Sequence, residues 1–192
     1  VTYHPVTLDY EQTVEQVREL LEALRICGLP VVFTQPNADT NGRVITTMIE
    51  QFVRTQPNAQ FIPHLGSQGY CSLMRHARAM VGNSSSGIIE APSFGLPVVN
   101  IGTRQEGRLR AANIVDVGYD RQEIVRGIHT AISSDFRARL QGLANPYGDG
   151  RAAEVIVQHL ENVPLGPSLI RKRFVDMPDM VVALQGTEEH GR

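Results

Sequence analysis

AMVGNSSSGIIEAPSFGLPVVNIGTR, residues 79–104, is the stretch whose reading decides the fold. It reads as strand, polar turn, helix, tight turn, strand. Ala79–Val81 is a short apolar run ending on Gly82. Asn83, Ser84, Ser85 and Ser86 then place small amide and hydroxyl side chains where a helix begins. Consecutive serines cap well, because their oxygens accept from the unpaired N–H groups of a first turn. The same arrangement aims free N–H groups and the positive end of the helix dipole at the space above the turn, which suits an anion such as phosphate. Glu90, one turn on, adds a carboxylate acceptor near that mouth, fitted to a sugar diol. Gly95 and Pro97 end the helix, and Pro97–Ile101 reads as a buried parallel strand. Serines more often serve only as caps, so the turn by itself leaves both uses open. Neither a Walker lysine nor a Gly-x-Gly-x-x-Gly run is present, which disfavours a P-loop and a dinucleotide fingerprint.

Upstream, Val1–Tyr3 reads as the end of a strand entered from inside structure, which suggests a piece of something longer. His4 and Pro5 break it. Thr7 or Asp9 is expected to cap a helix whose apolar positions Val14, Val17, Leu20, Leu21 and Leu24 follow the 3.6 period, and Gly28 stops it. Val31–Thr34 is a second strand, followed by a loop of turn formers from Gln35 to Gly42. Residues 43–56 return to a helical pattern, Phe61 and Ile62 form a third strand, and Ser67–Arg78 a helix facing Tyr70, Leu73 and Met74 inward. Beyond the central stretch, Ile114–Val117 is a sixth strand. Helices follow near 120–133, 134–143 and 151–162, the first burying Ile124, Val125, Ile128 and Ile132, the last Val155, Ile156 and Leu160. The reading is a domain over 1–163 and a tail over 164–192, with Thr187–Arg192 disordered.

Strands alternating with helices argue for an α/β doubly wound parallel sheet of Rossmann-like type. In the order 3-2-1-4-5-6, strands 1 and 4 are neighbours at the switch point, where ligands bind beyond the carboxyl ends. His4 then lies beside Asn83–Ser86, with Asn37 and Asp39 lining the same crevice. His4 can donate to a phosphate, carry positive charge near neutral pH, or transfer a proton. Arg104 and Arg108 follow the fifth strand and can clamp a second phosphate. Glu106 and Glu123 read as surface residues.

The composition excludes several classes. A chain of 192 residues, 42% hydrophobic and 20% charged, is an ordinary globular one. A net charge of -2 offers no general field for nucleic acid, leaving only the local basic spots Arg104–Arg110 and Arg171–Arg173. No apolar run approaches membrane-spanning length and no signal-peptide pattern opens the chain. Cys27 and Cys71 are too few for a disulfide framework or a zinc site, and reduced thiols fit a cytoplasmic protein. The histidines, His64 and His76 included, lack metal-ligand spacing.

Val1–Thr7, Pro36–Asp39 and above all Val81–Arg108 resemble the hydrolysing UDP-N-acetylglucosamine 2-epimerases. The resemblance runs from residue 1 to about 160, over the second Rossmann-like domain of a two-domain GT-B fold. It implies elimination of UDP from UDP-GlcNAc to a glycal and hydration to N-acetylmannosamine, a start of sialic acid or related nonulosonate synthesis. By motif, Ser84, Ser85 and Ser86 would bind the diphosphate and Glu90 the ribose hydroxyls. His4 would sit at the diphosphate and assist UDP departure, Arg104 would close on the ligand, and Asn37 would lie on the nucleotide side. The resemblance requires no metal or cofactor. The carboxylates that handle the C2 proton belong to an N-terminal domain this chain lacks, so the 192 residues alone are expected to be inactive. The partners implied are UDP, UDP-GlcNAc or a related UDP-sugar, that missing domain and a homo-oligomer. Two alternatives are the donor domain of a GT-B glycosyltransferase and a non-catalytic nucleotide-binding module.

Overall fold

A computed structural model describes residues 1–171. All of its strand pairing is parallel. β1 (Val31–Phe33) pairs with β2 (Ala59–Phe61), and β3 (Met80–Gly82) with β4 (Val98–Ile101), which pairs in turn with β5 (Ile114–Val117). The opening residues join the two ladders. Thr2 bridges to Gly82, while the Thr34 amide donates to the Val1 carbonyl at 3.0 Å and the Val1 nitrogen to the Val32 carbonyl at 2.7 Å. The lateral order is therefore β2, β1, opening segment, β3, β4, β5, which is the order expected at a Rossmann switch point.

Gly82 makes the central juncture possible. Its φ is 135°, and a Cβ there would stand 2.0 Å from the Thr2 carbonyl oxygen, so only a residue without a side chain lets the two backbones meet.

Helices cover both faces of the sheet. α1 (Thr13–Cys27), α2 (Gly42–Thr55) and α5 (Arg121–Ile132) bury Val17, Leu20, Leu24, Ile45, Ile49, Phe52, Ile124 and Ile128 against Val81, Val99 and Ile101. On the other face, Met74 of α3 (Gly66–His76) packs with Met80, Ala91, Leu96 and Val98. Val98 faces one side while Val99 and Ile101 face the other, so the strands read as continuous apolar runs because both of their faces are buried.

Several local expectations change. A 3-10 turn at Thr7–Gln12 precedes α1, and neither Val6 nor Gln12 caps its helix with a side chain, so Thr7 and Asp9 do not cap α1. Gly28 does end it, in the left-handed conformation. Val14 is exposed, whereas Val17, Leu20, Leu21 and Leu24 are buried. Tyr70 and Leu73 are only half-buried. The central helix shrinks to α4 (Ser86–Ile89), followed by a 3-10 turn at Ala91–Phe94. Pro92 has no N–H to donate back along the helix, which stops it after one turn.

α6 (Ser134–Ala138) completes the first compact unit, Val1–Asp149, and a second unit begins at Gly150. The second holds α7 (Ala152–Asn162) and the short α8 (Pro167–Ile170). Val155, Ile156 and Leu160 of α7 are each more than half exposed, against the expectation that they are buried. Helical periodicity shows that a face can be covered, without supplying the surface that covers it. Thr187–Arg192 lie outside the described residues.

Candidate functional site

Where the opening segment meets β3, the chain brings four elements together. The Asn83 side chain closes a ring with the backbone of His4. His4 N–H donates to Asn83 Oδ1 at 2.7 Å, and Asn83 Nδ2 donates to the His4 carbonyl at 2.8 Å. Asn83 is fully buried and His4 half-buried, so both bonds are partly shielded from water. Its main-chain carbonyl accepts twice more, from Arg104 Nη1 at 3.1 Å and Gln105 Nε2 at 2.8 Å. The loop after β1 reaches the same place, where the Asn37 amide donates to His4 Nδ1 at 3.0 Å.

That last bond settles the chemistry of the imidazole. A ring nitrogen that accepts from an amide is unprotonated, so the neutral ring carries its proton on Nε2. Burial pulls the His4 pKa down to about 4, the Arg104 guanidinium pushes the same way, and the Asp39 carboxylate opposes them. His4 in the free protein is therefore neutral near pH 7, not positively charged as one of its sequence-based roles required. Burial also lowers Arg104, which Asp39 raises and Arg108 lowers further. A guanidinium in a protein remains charged, so Arg104 supplies the cation here.

The serine turn follows Asn83 directly. Ser84 is buried, and its hydroxyl accepts from the Ser86 amide at 3.3 Å. The amides of Ser84 and Ser85 have no hydrogen-bond partner among the described residues. Ser85 and Ser86 are half-buried. With only one helical turn behind them, a helix dipole adds little, and any anion affinity falls to local N–H and O–H groups plus Arg104.

The structure thus ties His4, Asn37 and Arg104 together through Asn83, and Ser84, Ser85 and Ser86 follow Asn83 in the chain. Glu90 stands apart. It is exposed at the carboxyl end of α4, where its amide donates to the Ser86 carbonyl at 3.0 Å, and its carboxylate shares no hydrogen bond with the others among the described residues. Asn37 turns its side-chain amide to Asp39, and its buried Oδ1 has no partner. Arg108 is exposed. Glu106 and Glu123 are exposed too, as expected, although Glu123 accepts from the Gly118 amide at 2.8 Å.

Two contributors were missed as individuals. Asn83 entered the sequence argument only as part of a polar turn, and Gln105, 1% exposed with an unpartnered Oε1, did not enter as a site residue. A small amide between a strand-ending glycine and serines is a usable hint for Asn83. No local signal marks Gln105. No group of His, Cys, Asp and Glu suited to a metal occurs among the described residues, nor does a helix long and apolar enough to cross a membrane.

A family model described as UDP-N-acetylglucosamine 2-epimerase matches residues 1–161. The GDP/UDP-N,N'-diacetylbacillosamine 2-epimerase (hydrolyzing) of Campylobacter jejuni is 38% identical over 180 residues, which are 92% of this chain and 46% of that protein. The UDP-N,N'-diacetylbacillosamine 2-epimerase (hydrolyzing) of Legionella pneumophila is 34% identical over 170 residues, 88% of this chain and 44% of that one. The chain spans about half the length of these curated relatives. Among solved structures, the UDP co-structure of S. aureus MnaA superposes with a TM-score of 0.65 at 18% identity, covering 83% of this chain and 43% of that chain. UDP-GlcNAc 2-epimerase from Neisseria meningitidis bound to UDP-GlcNAc gives 0.58 at 20%, covering 84% and 44%. At those identities the likeness speaks for the fold, a Rossmann-like half of a GT-B architecture. From the match over residues 1–161 and the relatives above 30% identity, the chain belongs to the UDP-N-acetylglucosamine 2-epimerase family.

Proposed function

We propose that this chain is the nucleotide-binding half of a hydrolysing 2-epimerase acting on a UDP-linked 2-acetamido sugar. The observation that carries the reading is that Asn83 holds the His4 backbone and the Arg104 guanidinium at the start of the serine turn, where the Ser84 and Ser85 amides have no partner among the described residues. Breaking the bond between the anomeric carbon and UDP loads negative charge onto the leaving diphosphate. Preorganised donors stabilise that charge where it develops, without the cost of reorganising water. Arg104 offers charge, His4 a neutral Nε2–H, and the serine turn short N–H and O–H donors. Ser84, Ser85 and Ser86 take the diphosphate, Glu90 the ribose diol, and Asn37 lies on the nucleotide side. In this reading the carboxylates that move the C2 proton lie outside these 192 residues, in line with the chain spanning about half the length of its relatives. Hydration of the glycal then yields a free 2-epimeric amino sugar, N-acetylmannosamine from UDP-GlcNAc, which feeds nonulosonate synthesis. The names of the C. jejuni and L. pneumophila relatives favour a diacetamido sugar as the natural substrate.

Calorimetry with UDP and inorganic pyrophosphate tests the reading, together with assay of free amino-sugar release. Residues 1–192 bind UDP and release no sugar by themselves. Glu90→Ala weakens UDP more than pyrophosphate, since a charge-assisted bond to a ribose hydroxyl is worth about 1.5–3 kcal/mol. Failure to bind UDP, or sustained turnover by this chain alone, overturns the assignment. Transfer of the sugar to an acceptor would point instead to a glycosyltransferase.

A further inference from the structure

Asn83 forms five hydrogen bonds, all within the chain, one of them from its own amide to the Thr2 carbonyl at 3.2 Å. Its side chain spends the Oδ1 acceptor and an Nδ2 donor on the backbone of His4, 79 residues away in sequence. Its carbonyl takes Arg104 and Gln105 from the loop after β4. Complete burial keeps it from the crevice itself. We propose that Asn83 is a positioning residue that fixes the His4 backbone, so that Nδ1 rests on the Asn37 amide and Nε2–H points toward the diphosphate as a neutral donor. This rests on the reading that the crevice holds a diphosphate.

The geometry leaves His4 little alternative. With its N–H and C=O both held by one amide, the backbone cannot rotate without breaking two partly buried bonds. The Asn37 amide can only donate, so it selects the tautomer with an unprotonated Nδ1. The same residue that ends β3 in the serine turn therefore also aims the histidine across from it. Arg104 and Gln105 bind the main-chain carbonyl and do not depend directly on the side chain. A side-chain substitution consequently separates His4 from Arg104.

The test combines nitrogen NMR of the His4 ring with UDP affinities for wild type, Asn83→Ala, His4→Ala and the double variant. In ligand-free wild type near neutral pH, Nδ1 is expected to resonate as an unprotonated nitrogen and Nε2 as a protonated one. Asn83→Ala is expected to blend the two tautomers and weaken UDP about tenfold, within the range for directly coupled neighbours. In the His4→Ala background the same change should cost less than about twofold, whereas a loss arising only from general stability would be equal in both backgrounds. Should Asn83→Ala not fold, Asn83→Asp serves. It retains the acceptor and the volume, and any direct repulsion between its carboxylate and UDP appears in both backgrounds and cancels. A wild-type ring protonated on Nδ1, or equal losses with and without His4, overturns the proposal. Absence of UDP binding by the wild type would sink the functional reading, and the ring tautomer would still be decided by the spectrum.

Discussion

Acid should weaken this fold through His4, and a difference measurement can isolate the effect. In the unfolded chain the imidazole titrates at its ordinary 6.5, while in the folded protein burial and Arg104 hold it at about 4. Between those values the unfolded chain binds a proton that the native protein does not. The contribution is fully present above about pH 6.5 and is lost as pH falls toward 4. At about 1.36 kcal/mol per pH unit, the full effect is ~3 kcal/mol. The ring is only half-buried, and solvent screening reduces the expectation to roughly 1–2 kcal/mol. Urea unfolding followed by circular dichroism, from about pH 8 to about pH 4, measures this in wild type and His4→Asn. The stability of wild type relative to His4→Asn should fall by that amount across the window. Saturating UDP should raise the His4 pKa, because a diphosphate favours the imidazolium. A wild-type-minus-variant difference that stays flat, or a ligand-free His4 pKa at 6.5, would refute the argument.

Gly82→Ala puts a methyl group 2.0 Å from the Thr2 carbonyl oxygen at a φ of 135°, and should cost about 3 kcal/mol or more in unfolding experiments. Loss under about 1 kcal/mol would mean that the opening segment does not meet β3 this closely. Ser84→Ala removes the acceptor of the Ser86 amide and should lower stability by about 1 kcal/mol. It should also shrink the rise in melting temperature produced by UDP; an unchanged rise would leave Ser84 a structural cap alone.

The layers of this molecule were legible because they are made of local patterns. The apolar alternation of α1 and α5, the short strands buried on both faces, and Gly28 at a helix end each depend on a few neighbouring residues. Local pattern failed where the outcome depended on what else was nearby. Pro92 cut the central helix to one turn, although Ser84–Ser86 read as the start of a longer one. The apolar stripe of α7 was legible, and its exposure was not.

For the candidate site, the sequence by itself determined which residues stand at strand ends, and the doubly wound order then brought His4 beside Asn83–Ser86. It determined that Arg104 would follow the fifth strand and that Asn37 would follow the second. Only the tertiary structure decided that Asn83 holds His4 at both backbone groups, that Asn37 takes Nδ1, and that Arg104 leans on the Asn83 carbonyl. Only it decided that the histidine is neutral. Periodicity and turn chemistry act over a few residues. A hydrogen bond spanning 79 positions exists only once sheet register has set the distance, and a protonation state only once burial and neighbouring charges have set the local field.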